Sequence, residues 1–471
     1  MVQPDGPVAE LGVTPPQTTM WPSPPRLSLS ISSVVSPAAM VVLAHAASSE
    51  SERIQPCARR AGERVVGRQQ GSDHAEASKW PGVRCLPTRT LAEVRLGSTG
   101  LGGRGSVSLT SSMTLRLLSA YQGKHLSTPN RIALSPMTRN RAGDSRLPNA
   151  LMGEYYAQRA SAGLLVTESA DVSPQAIGYP GTPGLYEHEQ VEGWRCVVQA
   201  VRAAQQAPAP FFCQLFHCGR VSHASFQPNR RPPIAPSAIR ADVQLYTPEG
   251  MQPASMPQAL AVDQIARVVS EYAAAAKAAI DAGFDGVEIN GGNGYLVDQF
   301  LRDGTNRRTD DYGGPPRNRI RFALELVDAV SEVIGSSRVG FRVSPAKDTN
   351  GVFDSDPGTL FETLAAALNQ RDLAYLHVIE DIRRATVTPK IRELFHGTLI
   401  GNDGYDRESA ERAIDGGLVD IVSFARAFLA NPDLPRRFAL GASLNEPDPA
   451  RFYAGTHEGY TTYPALTEGS P

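Results

Sequence analysis

Cysteine is scarce in this chain and scattered. Five occur in 471 residues, at Cys57, Cys85, Cys196, Cys213 and Cys218, an odd set that supports no disulfide framework. A reducing compartment, or indifference to redox state, fits that usage. Cys213 and Cys218 flank Gln-Leu-Phe-His, but Cys213 lies in an apolar run and the spacing is not that of a zinc site, so no metal is expected. An excess of one charge is also lacking: a net charge of −2 gives no basic field for a nucleic-acid partner. The most apolar part of the N-terminal region, residues 31–44, is interrupted by serines and by Pro37, too weak for a membrane helix. Composition is otherwise that of a soluble chain, long enough for one large domain or two to three ordinary ones.

The first 112 residues are poor in aromatics, lack any sustained periodicity, and are rich in Ser, Pro, Gly, Ala and Arg. Such a segment cannot bury enough apolar surface to offset chain entropy, so disorder is expected there and a folded domain over 113–471. A cleaved targeting segment would make the protein organellar rather than cytoplasmic. An over-extended reading frame, with translation starting near Met113, is an equal alternative. Within this region GLGGRG, residues 100–105, fits G-x-G-x-x-G. A dinucleotide fingerprint needs a strand before it and a helix after it, and SVSLTSSMTLRL follows instead. The match is rejected.

From residue 131 short apolar runs alternate with longer segments of helical period. The strand candidates are 131–135 (RIALS), 163–167 (GLLVT), 211–216 (FFCQLF), 286–290 (GVEIN), 339–344 (VGFRVS), 375–379 (YLHVI), 398–402 (TLIGN) and 421–424 (IVSF). Helices are expected over 263–282, closed by a glycine stop, and over 317–333 and 407–415. Eight alternating β and α units imply a parallel sheet with helical cover, and a (β/α)8 barrel of the TIM type. A doubly wound open sheet is the runner-up. The proline-rich link from the third strand to residue 263 is long enough to cap the barrel mouth in part.

Barrel chemistry sits at the carboxyl ends of the strands. The polar residues there are Thr138 after the first, Ser169 after the second, Gln214 in the third, and Asn290, Asn293 and Tyr295 at the fourth. Arg342 lies in the fifth, Asp403 and Gly404 follow the seventh, and Ala425 and Arg426 follow the eighth. The last two strand ends are where many barrels hold a phosphate. A single Asn or Thr at a strand end is commonly a turn former; a set spread over most of the strand ends points to a site.

Several motifs resemble the old yellow enzyme family: NRIALSPMTRNRA at 130–142, EYYAQRASAG at 154–163, QLFHCGR at 214–220, GVEINGGNGYLVDQFLR at 286–302, DGTN at 303–306, NPDL at 431–434, and Phe452-Tyr453 with GYTTYP at 459–464. They fall in order over residues 116–466. The resemblance implies a tightly but non-covalently bound FMN, reduced by NADPH or NADH, which passes hydride to the C=C bond of an α,β-unsaturated carbonyl or nitro compound. By that resemblance Pro136, Met137, Thr138, Ser169, Gln214, Arg342, Asp403, Gly404, Ala425 and Arg426 hold FMN. Thr138 tunes the O4 edge, Gln214 holds the pyrimidine ring, and Arg342 lies by N1 and O2. Asn290 and Asn293 grip the substrate oxygen, Tyr295 protonates the α-carbon, and Phe216 and Tyr453 line the substrate pocket. A small-molecule substrate is the implied partner, for a monomer or homodimer.

Departures from the family pattern accompany the likeness. Asn290 stands where histidine is usual, and loss of one such donor costs about 2.7–4 kcal/mol of transition-state stabilisation. Phe216 replaces tryptophan and is expected to widen the pocket. Asp403 and Ala425 replace glycines, Asp403 bringing a carboxylate near the phosphate, and Ser169 replaces a smaller residue. The reading is an altered ene-reductase, with a flavin-binding pseudoenzyme as the alternative. A barrel lyase or isomerase would need a lysine or paired carboxylates at strand ends. Lys347 lies past the fifth strand, but no strand ends in lysine.

Overall fold

The computed structural model describes residues 115–467; the expectations for residues 1–112, with the rejected motif at 100–105, lie outside the described residues. Eight runs buried along their whole length form the strands β1 (Ile132–Leu134), β2 (Leu164–Asp171), β3 (Phe211–Phe216), β4 (Gly286–Gly291), β5 (Val339–Val343), β6 (Tyr375–Ile379), β7 (Leu399–Asn402) and β8 (Ile421–Phe424). Burial on both faces is what helices outside and side chains inside impose. Each strand pairs in parallel with the next, and β8 pairs with β1, closing the barrel. These are the eight runs expected from the sequence. The one substantial difference is β2, which continues to Asp171 through a register shift between Val166 and Ser169.

Helices α1 (Ala150–Ala157), α2 (His188–Ala204), α3 (Val262–Ala282), α4 (Arg321–Ile334), α5 (Pro357–Asn369), α6 (Thr388–Leu394), α7 (Arg407–Asp415) and α8 (Leu434–Leu440) follow the strands in turn. In α3 the small residues Ala275, Ala276 and Ala279 are buried, and Gly283 at φ 99° ends the helix in the left-handed region. Asp406 caps α7 by accepting from Ser409 N–H at 2.7 Å. The single helix expected over 317–333 is instead two, Pro316–Arg319 and α4, parted at Ile320. The buried Arg319 guanidinium donates to the carbonyls of Gly314 and Leu301 and pairs with Asp354, so surrounding loops hold that first turn. Among the described residues no helix is long and apolar enough to cross a membrane.

Inside the barrel the lower layer is apolar. Ala133, Leu164, Val166, Phe212, Tyr375, Ile400 and Ile421 fill it, and Leu126 closes it from below. In register, Gln214 lies beside Glu288, Glu288 beside Gly340, and Gly340 beside Tyr375. Polar side chains therefore begin directly above the plug. The segment between β3 and α3 carries the hairpin Gln244–Thr247 with Gly250–Pro253 and a small core of Val221, Ala241, Leu245 and Ala254. Tyr179 and Tyr295 pack against that core, so the segment covers part of the β2 and β4 side of the mouth, as the proline-rich link suggested.

Two outcomes follow from this packing. A Cβ on Gly340 would meet the Tyr375 ring at 2.3 Å. Gly340→Ala should therefore lose roughly 1–3 kcal/mol by overpacking, measured by urea denaturation. His217, at the end of β3, is buried, and its Nδ1 accepts from Gly219 N–H at 3.0 Å. Burial, reinforced by the Arg267 charge, pushes its pKa down to about 3. The unfolded chain, with an ordinary histidine near ~6.5, takes up the proton first, so this group's contribution is lost as pH falls from there towards about 3. His217→Asn keeps an acceptor without the titration. Relative to that variant, the wild type should lose on the order of a few kcal/mol across this window in denaturation curves.

Candidate active site

A carboxylate buried inside the barrel organises the floor of the site. Glu288 on β4 is fully buried, and its oxygens accept from Gln214 Nε2 at 2.7 Å and meet His377 Nδ1 at 2.8 Å. His377 Nε2 lies 2.7 Å from Ser423 Oγ. Burial alone would raise the Glu288 pKa, but His377, Arg342 and Gln214 together hold it below its ordinary value. Burial, which outweighs the attraction of Glu288, holds His377 below its own. At neutral pH this makes Glu288 a carboxylate and His377 a neutral imidazole, which fixes the proton order. Nδ1–H donates to Glu288, and Ser423 O–H donates to Nε2. With its Nε2 committed to Glu288, Gln214 keeps Oε1 as acceptor for Ser169 O–H at 2.8 Å and, more weakly, for Asn290 Nδ2 at 3.4 Å.

Above the floor, on the β5 to β8 side, lies a cavity of about 760 Å3. Arg342 stands in its wall. The guanidinium donates to Ser135 Oγ and Asn402 Oδ1, both at 3.1 Å, while its buried Nε has no partner. Pro136 and Met137, just past β1, form another wall, and Glu168 holds this loop by accepting from the N–H groups of Arg139 and Asn140. Asp403 and Gly404 follow β7 with φ of 86° and 74°, the left-handed region that favours glycine. The Asp403 carboxylate is 2.7 Å from Lys347 Nζ. Ala425 and Arg426 complete that end, and Arg426 has no ion-pair partner among the described residues. The half-exposed Tyr453, from the C-terminal tail, closes the outer edge, its carbonyl accepting from Asn140 Nδ2 at 3.1 Å. A second cavity of about 420 Å3 shares Tyr405, Phe424 and Ala427 with this one but opens beside α7 and α8, away from the strand ends.

The β4 loop forms the uncharged side. Asn290 is buried, its Oδ1 accepting from Gly292 N–H at 3.1 Å. Asn293 adopts φ 57° and reaches the cavity wall, its N–H donating to Ser344 Oγ at 2.6 Å and its carbonyl accepting from Asn350 Nδ2 at 2.9 Å. The Tyr295 hydroxyl lies 3.1 Å from that of Tyr179, and its ring meets Phe216 edge-on at 4.5 Å. Burial raises the Tyr295 pKa, while hydrogen bonds from Tyr179 and Asn350 pull it back. Tyr179 is raised well above the usual value by burial and by Tyr295. Either hydroxyl of this pair can be the donor. With Tyr179 as donor, the Tyr295 O–H is left for another acceptor.

The residues expected from the sequence thus separate into groups. Pro136, Met137, Asn293, Arg342, Asp403, Gly404, Ala425, Arg426 and Tyr453 share the cavity. Ser169, Gln214 and Asn290 form one hydrogen-bonded row beneath its neutral side. Thr138 is half-buried, and its side chain has no partner among the described residues. Phe216 is buried against the Tyr295 ring and, like Tyr295 and Asn290, lies outside the wall of this cavity. Sequence reasoning missed Glu288 and His377, although a charge or an imidazole inside an apolar strand is itself a signal of a buried partner. It also missed Tyr179 and Asn350, which carry no sequence signal of their own. Lys347 was noted only for its place after the fifth strand.

Residues 122–445 match the model of the NADH:flavin oxidoreductase / NADH oxidase family. Among curated relatives, 12-oxophytodienoate reductase 1 of Oryza sativa subsp. japonica is 42% identical over 373 residues, 76% of this chain and 96% of that one. The 12-oxophytodienoate reductase 2 of Arabidopsis thaliana is 40% identical over 374 residues, 76% of this chain and 98% of the relative. A solved structure of morphinone reductase in complex with tetrahydroNAD aligns with a TM-score of 0.72 at 44% identity, covering 75% of this chain and 99% of that one. The old yellow enzyme homologue from Zymomonas mobilis gives 0.71 at 38% identity, covering 74% and 99%. A closed eight-stranded barrel with polar strand ends, matched over most of its length, makes this chain a member of the old yellow enzyme family of flavin-dependent oxidoreductases.

Proposed function

We propose that this protein is an ene-reductase that holds FMN and uses NADPH or NADH to reduce the C=C bond of α,β-unsaturated carbonyl or nitro compounds. The observation that carries the reading is the division of the site: a cavity walled by cations beside a β4 loop of uncharged donors. FMN suits the cationic side. The buried Arg342 Nε lacks a partner, and the backbone N–H groups of Gly404, Ala425 and Arg426 have none among the described residues. Such donors match a ring edge that accumulates negative charge and a phosphate with several acceptor oxygens. A bound flavin supplies the hydride chemistry, accepting hydride from the nicotinamide and delivering it to the substrate β-carbon.

The chain's own residues supply the rest. Gln214 and Thr138 hydrogen-bond the ring edges, with Ser169 acting through Gln214, and Pro136 and Met137 pack against the ring. Arg342 favours its anionic reduced form. Arg426, with the Gly404 and Ala425 backbone and neighbouring Asp403, forms the phosphate end. Asn293 and Asn290 donate to the substrate oxygen, and Tyr453 and the Phe216-backed Tyr295 bound the substrate. Tyr295 protonates the α-carbon: burial raises its pKa and keeps it a proton donor, and the Tyr179 hydroxyl beside it can donate to its oxygen as the proton leaves. A small molecule is the partner, and a monomer or homodimer of the barrel suffices.

One observation favours a second reading, a flavin-binding protein with little or no turnover. The Asn290 amide is engaged within the floor, with Gly292 N–H on its oxygen and Gln214 near its nitrogen. The test is a visible spectrum of the purified protein, followed anaerobically by NADPH and then 2-cyclohexenone. Yellow colour that bleaches with NADPH and returns with the enone is expected, and a colourless protein that takes up no FMN would overturn the flavin reading. Bleaching without recovery would favour the second reading. Tyr295→Phe should slow the enone-dependent recovery by roughly 10²-fold or more, and Asn290→His should speed it, both read by stopped-flow absorbance.

A further inference from the structure

The phosphate end of the cavity contains a contradiction that a second residue resolves. Asp403 places a carboxylate on the wall, in a left-handed backbone conformation that favours glycine, where an anionic group is to bind. A carboxylate alone there would repel a phosphate. Lys347, on the loop after β5, lies with its Nζ 2.7 Å from the Asp403 carboxylate, and both side chains are half-buried on the same wall. An ammonium has three donors. Asp403 is the one partner of the Lys347 side chain among the described residues, so the remaining donors are unused. Together with Arg342 and the unpaired Arg426, Lys347 leaves this wall with a net positive charge despite Asp403.

We propose that Lys347 is a phosphate-binding residue of this cavity and that Asp403 is its positioning residue. The proposal rests on the FMN reading above and deepens it. Asp403 holds the end of a flexible four-carbon stem against the wall, so little ordering is left when the phosphate arrives. In exchange, the carboxylate is neutralised and no longer opposes the ligand. The dependence runs one way: Asp403 without Lys347 leaves an uncompensated negative charge at the phosphate, whereas Lys347 without Asp403 keeps its charge for the ligand.

The test compares FMN with riboflavin, which has the same ring system and no phosphate. Full-length protein stripped of flavin is titrated with each, by quenching of flavin fluorescence. Lys347→Met should weaken FMN binding roughly tenfold or more and leave riboflavin binding within about twofold, the latter also showing that the variant is folded. Asp403→Gly should bind FMN at least as well as the wild type. The double variant should recover part of the loss but remain several-fold weaker than Asp403→Gly alone. Equal FMN affinity in Lys347→Met and wild type would overturn the proposal while leaving the flavin reading intact. A double variant equal to Asp403→Gly would also overturn it, since Lys347 would then only neutralise Asp403. If the wild type binds neither flavin, the FMN reading fails and this proposal fails with it.

Discussion

A negative charge sealed inside the barrel sets the terms for everything above it. Glu288 has no solvent to stabilise it, and an ionised carboxylate in such a place persists only when its lone pairs are satisfied. Gln214 and His377 do that from the neighbouring β3 and from β6, and each is thereby locked in one orientation. The lock propagates upward. Gln214 presents Oε1 to Ser169 and Asn290, and His377 Nε2 accepts a hydrogen bond from the Ser423 hydroxyl. Arg342, whose pKa burial lowers against the pull of Glu288, adds a cation one layer higher and ties β5 to β1 and β7. The floor of the site is thus a single hydrogen-bonded unit resting on an apolar plug.

Above that floor, charge is segregated. Arg342, Lys347, Asp403 and Arg426 lie towards β5, β7 and β8, whereas Asn293, Tyr295 and Tyr179 on the opposite side are all uncharged. The separation matters physically. Donors meant to polarise an oxygen work without trapping it in an ion pair, while a cation near an electron-rich ring or a phosphate lowers the energy of the charged state. The segment between β3 and α3 packs against the neutral side through Tyr179 and Tyr295. Partial shielding from water on that side strengthens each neutral hydrogen bond.

How much of this could be read from the sequence depends on how local each cause is. The eight strands were legible because a strand buried on both faces must be apolar throughout, and α7 was legible to the residue because Asp406 caps it locally. The break at Ile320 was not, because its cause is a pairing of Arg319 with Asp354, far along the chain. The strand-end residues were legible as a set of positions, yet their division between cavity wall and floor was hidden. That division rests on contacts such as Gln214 with Glu288 and Asp403 with Lys347, which join different strands and loops. Asp403 looked like a lone obstruction for the same reason. The contact of Phe216 with the Tyr295 ring, which joins β3 to the β4 loop, was hidden for the same reason.

The proton order of the floor is open to direct observation. Nitrogen NMR of protein labelled with 15N-histidine, with His377→Gln used for assignment, reads the two ring nitrogens of His377 separately. At pH 7 the arrangement predicts one protonated nitrogen, Nδ1 facing Glu288, and one bare nitrogen, Nε2 accepting from Ser423. A doubly protonated imidazolium at that pH would contradict it. The floor would then be held by a buried ion pair, and Ser423 would accept from Nε2 instead of donating to it.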